Sequence, residues 1–174
     1  MDFKEKQCLI AYFSRKGENY AGGSIVNLAV GNTETAARLI AAETGGSLLE
    51  IRTRVDYPLE YEACTRTAQA EKRGNVRPEL TAAVHNLAGF DVIFLGYPNW
   101  WGTCPMAVFT FLESNDFSGK TILPFCTHEG SGMGASERDI QQAVPGASVR
   151  RGLPILGSAV QGAQGEISRW LKGL

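Results

Sequence analysis

Residues 7–13 (Gln7-Cys8-Leu9-Ile10-Ala11-Tyr12-Phe13) form a nearly continuous apolar run bounded by polar positions, the pattern of a strand covered on both faces. Between 33 and 44 the period changes. Ala36, Ala37, Leu39, Ile40 and Ala41 make one helical face, with Asn32 or Thr33 as a natural N-cap and Gly45 as the stop. Leu48, Leu49 and Ile51 predict a second strand. Pro58 opens a polar amphipathic helix toward Arg73, and residues 80–88 predict a further short helix. The clearest strand is 91–96 (Asp-Val-Ile-Phe-Leu-Gly), followed by a helix from near Pro105 with Met106, Val108, Phe109 and Leu112 inward. The pattern then repeats, with a strand at 121–126, a Gly-rich loop at 127–134 and a helix at 135–143 that Pro145-Gly146 ends. Residues 147–156 predict a last strand broken by Gly152 and Pro154. Ile167, Trp170 and Leu171 give the final helix its apolar stripe.

Strands alternating with helices imply an α/β protein, a three-layer arrangement of a five-stranded parallel sheet with helices on both faces, because each crossover returns the chain in a right-handed sense. No repeat, low-complexity tract or linker divides the chain, so residues 1–174 are expected to form a single domain. Ligands of such sheets bind beyond the carboxyl ends of the strands, which directs attention to residues 14–33, 97–104 and 127–134.

Composition narrows the function classes. The nine apolar types make up 44% and the four charged types 20%, which excludes intrinsic disorder. Seventeen basic against 18 acidic residues give a net charge of −1, so neither nucleic acid nor an anionic membrane is expected as a partner. Cys8, Cys64, Cys104 and Cys126 are too widely spaced for a CxxC redox pair or half a zinc site and read as small buried thiols; no metal is expected. The charged start Met-Asp-Phe-Lys-Glu-Lys is unlike a signal peptide, and no run approaches the roughly 18 apolar residues that span a bilayer. The expected location is the cytoplasm.

Each loop has a chemical reading and a plainer one. At 31–34, Gly31-Asn32-Thr33-Glu34 opens a helix whose unpaired N–H groups and partial positive charge would seat a phosphate; the plainer reading is that Asn32 and Thr33 only cap it. No lysine follows the glycines, which disfavours a Walker loop. At 97–105, Trp100 and Trp101 are adjacent just past a strand end and cannot both bury easily. One of them would be free to stack on a flat ligand, against the alternative that both cover the end of the sheet. In Thr127-His128-Glu129-Gly130-Ser131-Gly132-Met133-Gly134, the G-x-G-x-x-A match is weak, because the dinucleotide fingerprint belongs to the first strand and needs an acidic residue where this chain has Arg150 and Arg151. Ser131 also lacks the G-x-S-x-G spacing of a nucleophile elbow. His128 reads equally as a solvated loop histidine or a ligand contact, and His85, in the helix expected at 80–88, as structural. Nine of the 20 glycines (17, 22, 23, 31, 96, 102, 130, 132 and 134) sit in or beside these loops, so the glycine excess is local rather than general.

Together these segments resemble the flavodoxin family, in particular its bacterial flavodoxin-like FMN-binding branch with a Trp-Trp loop, over essentially the whole chain. Tyr12-Phe13-Ser14-Arg15 with Gly31-Asn32-Thr33-Glu34 is similar to the family's phosphate loop. Leu95-Gly96-Tyr97-Pro98-Asn99-Trp100-Trp101-Gly102 and Phe125-Cys126-Thr127-His128-Glu129-Gly130-Ser131-Gly132 are similar to its two isoalloxazine loops. The resemblance implies a doubly wound flavodoxin-like fold with strand order 2-1-3-4-5, the order of flavodoxin itself, and FMN as cofactor. It also implies Ser14, Asn32 and Thr33 at the phosphate, with Arg15 in reach of it. Pro98, Asn99, Trp100, Trp101 and Gly102 would lie along the flavin, and Thr127, His128, Glu129, Gly130 and Ser131 at its other edge.

Two features depart from the family pattern. Residues 16–30, with Tyr20, Gly22, Gly23 and Ile25, lengthen the phosphate loop into a lid or substrate rim. The chain is also nearly neutral, whereas single-electron shuttles of the family are strongly acidic. Negative charge near a flavin makes its reduction harder, and an acidic face docks basic partners. The leading expectation is an FMN-binding protein that carries electrons to a redox partner protein or a small-molecule acceptor, with no catalytic side chain. The first alternative is an NAD(P)H-dependent FMN quinone or flavin oxidoreductase, with NAD(P)H as a further partner. The second, from another class, is a flavin-free binding domain of the same fold. Whether the chain is an enzyme is left open between these.

Overall fold

The computed structural model describes residues 3–83 and 85–174, with the Lys4 side chain outside the description. Among the described residues, five strands run parallel in one sheet: β1 (Cys8–Tyr12), β4 (Ser47–Glu50), β5 (Val92–Pro98), β6 (Thr121–His128), and the pair β7 (Ser148–Val149) and β8 (Leu153–Leu156), which share one edge of β6 as two halves of a broken strand. The order β4-β1-β5-β6-β7, with β8 also on β6, is the 2-1-3-4-5 arrangement. The break is local chemistry. A Cβ on Gly152 would lie 2.4 Å from the Met133 side chain, and Pro154 has no N–H to donate to a ladder.

Alternation along the strands divides the core. Leu9, Ala11, Ile93, Leu95, Tyr97 and Ile122 face one side and pack with α3 (Met106–Glu113) and α4 (Ser136–Ala143). Cys8, Ile10, Tyr12, Val92, Phe94, Leu123 and Phe125 face the other, against α1 (Asn32–Thr44) and α5 (Gln164–Lys172). Both faces of β1, β5 and β6 are therefore dry, which is why those strands read as unbroken apolar runs. Gly96 is required in the middle of the sheet, since a Cβ there would fall 2.2 Å from the Phe125 ring.

The structure differs from the sequence reading in five places. α1 is not capped by Asn32 or Thr33: its N-cap residue is Gly31, and the Ser14 hydroxyl, 20 residues away, accepts the Glu34 N–H at 3.0 Å. The polar helix α2 (Tyr61–Arg73) starts three residues after Pro58, because the Arg15 guanidinium holds the carbonyls of Pro58, Leu59 and Glu60, and Leu59 O also accepts from Glu18 N–H. No helix forms at 80–88 among the described residues; Val84 lies outside them. Leu80 instead bridges antiparallel to Thr53, and Asn115 takes the His85 N–H and the Ala83 carbonyl, which draws this segment across the surface. β5 and β6 run two residues further than expected, so Pro98, Thr127 and His128 are strand-end residues rather than loop residues. Residues 16–30 are no irregular loop but an antiparallel hairpin, β2 (Gly17–Ala21) and β3 (Ser24–Leu28), joined at Gly22-Gly23 with φ of 59° and 91°.

Candidate functional site

A cleft of about 500 Å³ lies beyond the carboxyl ends of β1, β5 and β6, within the size range of small-molecule and cofactor sites. Its floor is the junction of β6 and α1. Thr127, at the end of β6, is 4% exposed, and its hydroxyl meets that of Thr33, 2% exposed, at 2.7 Å. This bond aims the first turn of α1 at the cleft, where the opening N–H groups of a helix lack intrahelical acceptors. Glycine is needed at 31 for the chain to enter the helix, because a Cβ there would meet Ser14 Oγ at 2.2 Å and Arg15 O at 2.6 Å.

One wall is the segment after β5. Trp100 is half-buried, edge-on to Phe13 (centroids 5.3 Å apart) and to Tyr57 (4.9 Å). Trp101 is 46% exposed; its indole N–H donates to Thr65 O at 3.0 Å and its carbonyl accepts from Lys72 Nζ. Trp101 has φ +54°, a left-handed conformation that a bulky residue adopts only when its surroundings impose it. Asn99 ties this wall to the Gly-rich loop: its Nδ2 donates to Gly132 O at 2.9 Å, and its Oδ1 accepts the Gly102 N–H at 3.0 Å. The two loops touch so closely that a Cβ on Gly134 would sit 2.3 Å from Gly102 O.

The opposite rim is set by two latches on the hairpin. Glu18 Oε2 accepts the Tyr61 N–H at 2.8 Å, fixing β2 to the start of α2. At the hairpin tip, Glu129 Oε2 accepts the Gly22 N–H at 3.1 Å, while its Oε1 accepts the Ser158 N–H at 2.6 Å. Between the latches, Asn19 and Tyr20 line the cleft. His128 Nδ1 accepts the Gly130 N–H at 2.9 Å, which places the proton of the neutral ring on Nε2.

The cleft thus brings together Arg15, Asn32, Thr33, Pro98, Asn99, Trp100, Trp101, Thr127, His128, Glu129 and Ser131 of the residues expected from sequence. Ser14, Gly102 and Gly130 do not line it. Ser14 caps α1, and the two glycines shape the backbone at φ of 83° and 115°. Sequence reasoning missed the contribution of α2, whose Tyr61, Cys64, Thr65 and Ala68 form the outer wall. Their i, i+3, i+4, i+7 spacing was the available signal. All four cysteines are free and buried. Burial raises the Cys64 thiol above its usual range, and Arg15 beside it pulls it back. Burial pushes the Cys126 thiol up to about 12. His85 lies outside the cleft, with Nε2 3.0 Å from Ala82 O and its ring against Phe111. Among the described residues, no group of three or more His, Cys, Asp or Glu could hold a metal ion, and no helix is long and apolar enough to cross a membrane.

A family model for flavodoxins matches residues 7–174. No curated protein sequence matches the chain. Among solved structures, a candidate flavoprotein from Bacteroides uniformis is 29% identical, with a TM-score of 0.76 over 96% of this chain and 98% of that one. A second, from Bacteroides eggerthii, is 27% identical with a TM-score of 0.71, covering 94% and 99%. A flavoprotein in complex with FMN from Lactobacillus acidophilus is 20% identical, with a TM-score of 0.64 over 90% and 97%, a likeness of fold.

Proposed function

The chain belongs to the flavodoxin family, and from that premise we propose that it binds FMN in the cleft and carries electrons through it. The observation that supports this most is the convergence of three elements on one cavity: the opening turn of α1, clamped by Thr33 and Thr127, the Trp100-Trp101 wall, and the 127–131 segment. The donor set fits the group. A phosphate would sit at the positive end of α1 with Asn32 and Thr33, and a flat three-ring system would lie between the tryptophan wall and the backbone of 127–131.

FMN, when bound, supplies the redox chemistry, accepting and giving up electrons at its ring system. The chain supplies position and surroundings. The α1 N-terminus and the Thr33–Thr127 pair would hold the phosphate, and Asn99 keeps the two loops at a fixed separation. Trp101, already in a strained left-handed conformation, would present its ring to the flavin face. The hairpin, held by Glu18 and Glu129, would exclude water from one side of the cleft.

Within this reading a carrier competes with an NAD(P)H-dependent reductase. The net charge of −1 favours the reductase, because a protein shuttle docks through an acidic face that this chain does not have in excess. Protein incubated with FMN and desalted is expected to be yellow. Stopped-flow mixing of that form with NADPH and with NADH separates the roles, since rapid bleaching by either is required of the reductase and not of the carrier.

A further inference from the structure

Among the described residues, Arg15 is the one cation in the wall of the cleft whose hydrogen-bonding capacity is only partly used. Its Nη2 donates to the carbonyls of Pro58, Leu59 and Glu60 at 2.7, 2.7 and 3.3 Å, while Nε and Nη1 are buried with no hydrogen-bond partner. No carboxylate among the described residues forms an ion pair with it; the nearby acidic side chain of Glu18 is engaged with the Tyr61 N–H. A desolvated guanidinium normally finds an anion that satisfies its planar fork of donors.

The place of that fork matters. The three carbonyls and Cys64 put the head of Arg15 at the start of α2, on the outer wall. The α1 N-terminus lies at the floor, tied to β6 through Thr33 and Thr127. The α1 N-terminus and the Arg15 head are thus tied to different walls of the cleft, and FMN carries a single phosphate. Tyr61 from α2 lies within electrostatic reach of Arg15, and its ring is 6.3 Å from that of Tyr20, the hairpin residue that lines the same cleft and is 44% exposed. Aromatic faces beside an unpaired guanidinium suit a flat molecule that carries one negative group.

We propose that Arg15, Tyr20 and Tyr61 form a second subsite, separate from the FMN phosphate seat, which takes the anionic group of a small aromatic substrate. The subsite deepens the FMN reading and rests on it, since a substrate held there would lie in the same cleft as the flavin. The hairpin is then a specificity element: it carries Tyr20 and closes the side from which such a molecule enters.

The test uses naphthalene-2-sulfonate and its neutral counterpart naphthalene-2-sulfonamide as probes, titrated by calorimetry into the full chain with and without saturating FMN. The sulfonate is expected to bind at least about tenfold more tightly than the sulfonamide, the discrimination one charge-assisted anchor supplies. In Arg15→Gln the two probes are expected to become equal within about threefold, with part of the preference restored in Arg15→Lys. Equal binding of the two probes to the wild type overturns the subsite without needing any variant. A preference that survives in Arg15→Gln also overturns it, and a loss of FMN affinity in that variant assigns Arg15 to the FMN phosphate instead. If FMN itself does not bind, the functional reading fails, while the titration without FMN still decides whether Arg15 anchors an anion.

Discussion

Thr33 and Thr127 share a buried hydroxyl–hydroxyl hydrogen bond of 2.7 Å across 94 positions of sequence. One residue opens α1 and the other ends β6, so this contact fixes the angle at which the helix meets the cleft. In Thr33→Val the Thr127 hydroxyl is left buried without its partner, a cost of about 1–3 kcal/mol. The double variant Thr33→Val/Thr127→Val removes both polar groups and is expected to cost less than the sum of the two single changes. Urea unfolding of the three variants checks this; strict additivity would show that the two hydroxyls do not act as a pair.

The two tryptophans are expected to separate in function. Trp100 packs on Phe13 and Tyr57, so Trp100→Ala should lower stability by about 2–4 kcal/mol. Trp101→Gly removes an exposed ring and also relieves a left-handed backbone that costs about 1–2 kcal/mol, which offsets the lost indole hydrogen bond. That variant should keep its stability within about 1 kcal/mol and lose about 1–3 kcal/mol of FMN affinity. Thermal unfolding and FMN titration of both proteins measure the split, and the reverse assignment would exchange the roles of the rings.

Glu129 joins the hairpin tip to the turn after β8 through the N–H groups of Gly22 and Ser158. In Glu129→Ala both acceptors vanish, and local opening of the hairpin should become easier by about 1–2 kcal/mol, roughly tenfold faster hydrogen exchange at the Gly22 amide. Unchanged exchange there would mean that the hairpin is held by other contacts.

Burial raises the Glu71 carboxyl above its ordinary value, against the hydrogen bond from the Tyr57 hydroxyl, which lowers it. A carboxyl whose folded-state pKa is raised favours folding when protonated. That contribution is complete below the unfolded value of 4.5 and is lost as the pH rises through the higher folded value. Glu71→Gln keeps an acceptor for Tyr57 and carries no charge, so its gain over wild type should be near zero at pH 4 and positive at pH 7. Because Glu71 is only partly buried, solvent screens its charge and the gain should stay below about 1 kcal/mol. Denaturant midpoints at the two pH values test the sign.

The sequence disclosed the parts of this molecule that rest on local rules. β1, β5 and β6 were readable because both faces are buried, and α1 because its apolar positions keep a helical period up to Gly45. The hairpin carried a signal in Gly22-Gly23, but its strands mix polar and apolar residues, bury none of them fully and lack the alternation that marks a half-buried strand. The absent helix at 80–88 and the late start of α2 were set by partners far along the chain, Thr53 and Asn115 in one case and Arg15 in the other. The same holds for the cleft: the loops at 97–101 and 127–131 could be named from sequence. The capping role of Ser14, the latch of Glu129 and the orientation of Arg15 toward α2 depend on contacts that only the folded chain makes.

The proposed seating of a phosphate at α1 and of a flavin against the tryptophan wall is open to one direct test. A fluorescence titration of the purified chain with FMN, run beside riboflavin, tests both halves at once. Saturable quenching of the flavin by the protein is expected, with FMN bound at least about tenfold more tightly than riboflavin, because only FMN carries the anion suited to the helix N-terminus. Unquenched FMN fluorescence at all protein concentrations, or equal affinity for the two flavins, would contradict it.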